Sequence, residues 1–397
     1  MSWKALASGS ASHYENLTPR MSPSVQAKLD WRTRLKAEWL LLLFATLALA
    51  LAVLDPQPLT NYQRWLQLPT LAGLLGLLIA IQGIRDSGLV QHAAGALVAR
   101  AHSLRSLGLL LVTATALLSM VLTNDVSLFL IVPLTVAIGG LSNLPVLRMV
   151  VLEALAVNAG STLSPIGNPQ NLLLWQVAHI PFLDFVTAML PAAAVMFLLL
   201  ALLTWLWLPK DRVTLHAEQI DGHAVSASLA LLSTVALVTM VLMMERGHAV
   251  LGALMLLVPF ALVAWRSLLQ IDWLLLITFA AIFLGLGHFA ELSLVNHALS
   301  QLNFHQPLTL YLSGIVTSQL ISNVPATVLL LDRAPDALAL AVAVNVGGFG
   351  VVIGSLANLI ALRLVKQPQS LRLFHLVSIP FLLVCAPLVY LVYHWLG

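Results

Sequence analysis

Asparagine, serine, threonine and glycine gather twice in this chain, inside runs that are otherwise apolar. The first stretch, NAGSTLSPIGNPQNLLLW, covers residues 158–175, and the second, NVGGFGVVIGSLANLIAL, covers 345–362. Asn158, Gly160, Ile166, Gly167, Asn171 and Leu172 recur in order as Asn345, Gly347, Ile353, Gly354, Asn358 and Leu359. Upstream of each lies a short polar tripeptide, Thr123-Asn124-Asp125 and Ser322-Asn323-Val324. Amides and hydroxyls both donate and accept hydrogen bonds, so these residues can hold a small ion of either sign. Asp125 and Glu153 add acids that can carry a proton or complete a cation site. Glu153 has a second reading, as a buried carboxyl bonded to a neighbouring helix. The chemistry is that of binding. There is no HExxH motif, no Cys/His cluster and no loop with an acidic pair for magnesium on a diphosphate, so an enzyme is not expected. The lone Cys385 excludes an internal disulfide.

The elements that must position these residues follow from composition. The 397 residues are 60% hydrophobic and 9% charged, with mean hydropathy +0.95. A soluble domain needs more charged surface than that. Apolar segments recur at roughly 17–25 residues, the span of a bilayer. The expected fold is an all-α polytopic membrane protein. Residues 1–38 are polar, carry Lys4, Arg20, Lys28, Arg32, Arg34 and Lys36, and form a tail rather than a cleavable signal. Nine crossings are expected, at 39–53, 66–82, 149–177, 187–208, 225–244, 249–265, 272–288, 337–365 and 373–395. Those at 149–177 and 337–365 are broken. Two shorter helical pairs lie between them, at 106–140 and 307–332. In the second pair about nine residues separate Asn323 from the polar DRAPD run. They cover roughly 13 Å, under half a bilayer core. That pair is expected to be a re-entrant hairpin. For the first pair, two full crossings are the alternative.

Broken backbone in lipid survives only where protein or a polar cavity satisfies it. Gly160 is expected to supply the left-handed turn that ends one half-helix. Asn168 should cap its successor, with Pro169 at the first helical position. In the second copy Gly347 and Gly348 end the helix and Ser355 restarts it. Asn124 and Asn323 should cap the returning hairpin arms, with Pro325 near the first turn of the second. Half-helix N-termini attract anions and the C-terminal carbonyls attract cations. The expected site therefore comprises Thr123, Asn124, Asp125, Asn158, Gly160, Ser161, Thr162, Asn168, Ser322, Asn323, Asn345, Gly347, Gly348 and Ser355. No cofactor is expected beyond a sodium ion at Asn124 and Asn323. His92 and His297, in matching segments before each hairpin, read as interfacial side chains. Trp39, Trp65 and Trp273 read as an interfacial belt.

Charge placement orients the chain. With the N-terminus in the cytoplasm and each hairpin counted as no net crossing, 16 of the 19 Lys and Arg fall on the cytoplasmic side. Only Arg64, Arg246 and Arg333 fall outside, and the C-terminus lies outside with them. An odd number of crossings separates the two hairpins, so the copies are inverted. The first repeat is 39–208, the second 225–397, with a cytoplasmic linker at 209–224. Inverted repeats with discontinuous helices mark secondary transporters. A channel is the weaker reading, and basic residues facing a membrane surface argue against a nucleic-acid partner.

The motifs LTNDVSLFLIVPL, NAGSTLSPIGNPQN, SNVPATVLL and NVGGFGVVIGSLANL resemble the ion transporter superfamily, from about residue 39 onward. That superfamily includes arsenite permeases, sodium/proton antiporters of the same fold, and citrate and divalent-anion/sodium symporters. The resemblance implies a small anionic solute, a cytoplasmic membrane location and coupling to sodium or protons. It also implies a scaffold domain, which dimerises in the divalent-anion symporters, and a transport domain that moves like an elevator. The symporters' Ser-Asn-Thr tips correspond to Thr123-Asn124-Asp125 and Ser322-Asn323-Val324. Asp125 replaces a neutral hydroxyl and Val324 removes one. An ionised Asp125 would repel a di- or tricarboxylate, and the Thr-Asn-Asp tip looks closer to the arsenite-permease side.

Overall fold

The computed structural model describes residues 39–89, 103–140, 143–212, 225–365, 367 and 369–396. The expected tail at 1–38, the segment around His92 and most of the linker at 209–224 lie outside the described residues. Among the described residues there is no strand, only an isolated bridge between Ser103 and Arg212. The first half contains α1 (Trp39–Leu54), α2 (Leu59–Trp65), α3 (Leu68–Asp86), α4 (Leu104–Leu122), α5 (Asn124–Gly140), α6 (Val146–Ser161), α7 (Pro169–Ala178) and α8 (Phe182–Trp207). The second contains α9 (Ala227–Glu245), α10 (Ala249–Val263), α11 (Trp265–Leu269), α12 (Trp273–Glu291), α13 (Ser293–Ser300), α14 (Pro307–Ile321), α15 (Asn323–Leu330), α16 (Ala337–Val346), α17 (Leu356–Val365) and α18 (Ser370–Leu396).

The helices sort into two groups by packing. In one, α1 lies along α12, and α3 lies against α9 and α10. In the other, α4 packs on α6, α14 on α16, α8 on α18, and α17 against α5 and α6. Contacts between the groups run through α3 with α7 and α12 with α15. Leu198, Val258, Leu262 and Leu383 stand more than 60% exposed, an apolar exterior suited to lipid. Among the described residues six helical segments are long and apolar enough to cross a membrane, and α4 of the first hairpin is one of them.

The first pair folds back on itself as a hairpin. At its tip the Asn124 N–H donates to the Gly167 carbonyl at 2.9 Å, at the break between α6 and α7. Both ends of the hairpin return to one face. Arg105 at the base of α4 lies over the Trp205 ring, and Arg148 in the first turn of α6 lies over Trp207, both tryptophans being on the last turn of α8. Entry to α4 is fixed by a capping box, in which Ser103 Oγ accepts from the Ser106 N–H at 3.1 Å and Ser106 Oγ accepts from the Ser103 N–H at 3.0 Å.

Trp65 departs from the expected interfacial belt. It is buried and stacks on His288 with ring centroids 4.7 Å apart, while its indole N–H donates to Glu291 at 3.0 Å. Trp273 remains 45% exposed, and His297 lies on α13, which buries no residue.

Candidate functional site

The two tips share one backbone conformation. Thr123 sits at φ 72°, ψ 155° and Ser322 at φ 78°, ψ 155°. Positive φ strains any residue other than glycine, so the same strain at matched positions marks a geometry the site requires. It turns the chain sharply enough for α5 and α15 to begin at the next residue. Asn124 and Asn323 then occupy the first helical position rather than the N-cap. Each side chain still satisfies a first-turn donor: Asn124 Oδ1 accepts from the Asp125 N–H and Asn323 Oδ1 from the Val324 N–H, both at 2.9 Å.

The two breaks interlock through asparagine. Asn158 Nδ2 donates to Asn358 Oδ1 at 2.8 Å, and Asn345 Nδ2 donates to Asn171 Oδ1 at 2.6 Å. The first asparagine of each copy thus reaches the last asparagine of the other. Both also donate back along their own helices, Asn158 to the Ala154 carbonyl at 3.0 Å and Asn345 to the Ala341 carbonyl at 2.7 Å. The receiving residues hold the loops: Asn358 Nδ2 donates to the Gly348 carbonyl at 2.9 Å, and Asn171 Nδ2 lies 3.1 Å from the Ser161, Thr162 and Ser164 carbonyls. Asn168 caps α7 as expected, accepting from the Asn171 N–H at 2.9 Å, and its Nδ2 donates to Asn345 Oδ1 at 2.9 Å.

Two expectations are corrected. Gly160 has no left-handed backbone and lies inside α6. Its role is close approach: a Cβ there would fall 2.2 Å from the Ala116 carbonyl oxygen of α4. Gly347 does the same in the second copy, where a Cβ would fall 2.6 Å from Ser318 Cβ and 3.1 Å from Ile315 Cα of α14. Each hairpin therefore packs backbone-close against its own break. The helix of the second break ends as expected, α16 stopping at Val346 with Gly347 as its C-cap, and the left-handed residue beyond it is Gly350, at φ 91°. Second, Ser355 precedes α17 in an extended conformation, but its hydroxyl makes no cap.

Other expected residues are placed as follows. Ser161 and Thr162 are buried, and both hydroxyls donate to the Asn158 carbonyl, at 3.4 and 2.7 Å. Gly348 lies beside the Asn158 amide. Glu153 is fully buried and accepts from the Thr135 hydroxyl of α5, leaving its Oε2 without a partner. Asp125 is partly buried with Oδ1 enclosed and unpartnered. Reading by residue type passed over Gln319. Its Nε2 donates to the Gly347 and Phe349 carbonyls at 2.6 and 2.8 Å, and its Oε1 accepts from the Val351 N–H at 2.8 Å. It lies three residues before the Ser322 tip, a proximity that could have drawn attention to it. Gln170, beside the Asn168 cap, also donates to Asn345 Oδ1, at 3.3 Å.

What the arrangement can do follows from its unfinished bonds. Nine buried side-chain atoms lack a partner among the described residues. Six of the nine lie on the tips and broken spans: Asp125 Oδ1, Glu153 Oε2, Gln170 Oε1, Ser322 Oγ, Asn323 Nδ2 and Ser355 Oγ. Buried polar atoms are nearly always paired, so these six are open to a further partner. Five of the six can accept from or coordinate a cation, and Asn323 Nδ2 can donate to an anion.

Hairpins, half-helices and lipid-facing exterior define a multi-pass membrane transporter. The chain belongs to the citrate transporter family, whose pattern it matches over residues 31–337. It is 40% identical over 318 residues to the inner membrane protein YbiR of Escherichia coli, covering 79% of this chain and 84% of that one. It is 31% identical over 322 residues to a transporter from Methanocaldococcus jannaschii, covering 80% and 86%. Among solved structures, the YdaH transporter of Alcanivorax borkumensis aligns over 90% of this chain and 97% of its own, with 17% identity and a TM-score of 0.49.

Proposed function

We propose that the protein is a secondary active transporter that moves a small inorganic or organic anion across the cytoplasmic membrane, coupled to sodium or protons. The observation that carries this reading is the concentration of six unpartnered buried polar atoms on the two tips and two broken spans. Asn323 Nδ2 and the N-termini of α5, α7, α15 and α17 supply donors and partial positive charge for the anion. Ser322 Oγ, Ser355 Oγ and Asp125 Oδ1 supply oxygens for the coupling ion. Two helix groups, with an asparagine-locked core in one of them, suit alternating access in which that group slides against the other. This is the elevator expectation, with a homodimer built on the stationary group. The two matched copies support an inverted repeat, with the N-terminus cytoplasmic and the C-terminus outside.

A sodium/proton antiporter of the same fold is the second reading, favoured by the acid at the first tip. Uptake into proteoliposomes, measured against pH and sodium for wild type, Asp125→Asn and Asn323→Ala, separates the two. For anion symport, Asn323→Ala abolishes uptake and Asp125→Asn alters the pH or sodium dependence while anion binding persists. For the antiporter, an imposed pH gradient drives sodium flux with no anion present. Unchanged curves in both variants would remove the tips from the mechanism.

A further inference from the structure

A cleft of about 330 Å³ opens where the start of α3, the end of α7 and the end of α9 meet. It is separate from the tips and breaks, and the proposed transport reading does not use it. Its polar lining is Gln67, Thr70, Gln176, His179 and Glu245. Thr70 is only 2% exposed, yet its hydroxyl has no hydrogen-bond partner. Gln67 and His179 hold left-handed backbones, at φ 50° and 51°. Among the described residues, the other non-glycine residues with positive φ are Thr123 and Ser322 at the tips.

Charge decides what this cleft can take. Its lining contains one carboxylate, Glu245, and neither Lys nor Arg. Two helices end at it, α7 at Ala178 and α9 at Glu245, and helix C-termini carry partial negative charge. The N-termini of α3 and α8 oppose them, but the Thr70 and Leu71 N–H groups already bond the Gln67 carbonyl, at 2.9 and 3.1 Å, and the first N–H of α8 is taken by Glu245 itself. Glu245 Oε1 accepts from the Phe182 N–H of α8 at 3.2 Å, which leaves Oε2 outside that bond. The balance favours a cation. A carboxylate, a hydroxyl and an amide oxygen suit the donors of a nitrogen cation better than a bare metal ion, which would need a fuller oxygen shell. No cluster of three metal-ligating side chains occurs among the described residues.

We propose that this cleft binds a primary ammonium group, whose three N–H donors meet Glu245 Oε2, Thr70 Oγ1 and a glutamine side-chain oxygen. The group can arrive on a free small amine or on the ethanolamine headgroup of a lipid, since the cleft lies at helix ends where headgroups sit.

The test is thermal unfolding of the full-length protein in neutral detergent, titrated with ethanolamine hydrochloride. Sodium chloride and tetramethylammonium chloride at equal ionic strength serve as controls. The expected result is a saturable rise in melting temperature with ethanolamine alone. Glu245→Gln should weaken the apparent affinity at least tenfold. Thr70→Val, which leaves the Glu245–Phe182 bond in place, should weaken it several-fold and keeps the test decisive if Glu245→Gln unfolds. Saturation by lysophosphatidylethanolamine at much lower concentration than free ethanolamine assigns the lipid source, and equal potency assigns the free amine. An equal response to sodium or tetramethylammonium overturns the proposal, as does unchanged affinity in Thr70→Val together with any folded Glu245→Gln.

Discussion

Asn171 carries more of the first break than its place in a run of leucines suggests. Its amide nitrogen serves three loop carbonyls, and its oxygen accepts from Asn345 in the other copy. Its counterpart Asn358 serves one carbonyl and accepts from Asn158. Each buried polar group left without a partner costs about 1–3 kcal/mol. Asn171→Ala should therefore destabilise more than Asn358→Ala, by roughly 2 kcal/mol. Melting temperatures of the purified variants check the order, and a reversed order would show that the loop carbonyls find other donors. The sequence repeat brought Asn158, Asn171, Asn345 and Asn358 into view, because order and spacing agree across the copies. It could not show that the bonds cross between copies. Partners about 175 and 200 residues apart are chosen by packing, which residue types do not encode.

At the level of elements, the breaks were legible and their supports were not. Glycine, proline and asparagine inside apolar runs locate both interruptions, since such residues disfavour continuous helix. The second hairpin was equally plain, because eight residues in α15 cannot span a bilayer. The first hairpin was ambiguous for a physical reason. Its arms have 19 and 17 residues, and at about 1.5 Å per residue they approach the length of a span. Only the tip contact at Gly167 fixes where the turn stops. The misjudged Gly160 teaches the same lesson: glycine serves close approach as readily as a left-handed turn, and a neighbouring helix decides which. The second break depends on Gln319 from α14, which satisfies two carbonyls and one N–H there. Gln319→Leu keeps the volume and removes all three bonds. It should cost at least about 3 kcal/mol and loosen the loop at 347–355. Hydrogen exchange should show faster amide turnover at Val351 in the variant, with α14 itself unchanged. Equal protection would mean that the loop does not rely on that side chain.

For the whole molecule, the open question is how the bundle sits in the membrane, and the structure supplies sharper reporters than charge counting. Among the described residues between Asp211 and His248 the one helix is α9, so the two are expected to be accessible from opposite sides if α9 crosses. Charge bias places Asp211 inside and His248 outside. Both are exposed, whereas the native Cys385 is buried, so background labelling should be low. Gly247 would be a poor site for a cysteine, because its φ of 75° would strain any side chain. The second hairpin adds an independent check. Arg333, at its far end, donates to the Ala290 carbonyl at 2.7 Å and so shares a face with the end of α12. Asn303, before the hairpin, and Asp332, after it, must then be reached from one side. In intact cells, a membrane-impermeant maleimide should label His248→Cys, Asn303→Cys and Asp332→Cys, while Asp211→Cys reacts only after the membrane is opened. The reverse pattern would invert the molecule without disturbing the hairpin. Labelling of Asn303→Cys and Asp332→Cys from opposite sides would instead mean that α14 and α15 together make one crossing. The inverted relation of the two copies would then fail, since it depends on each hairpin entering and leaving by the same face.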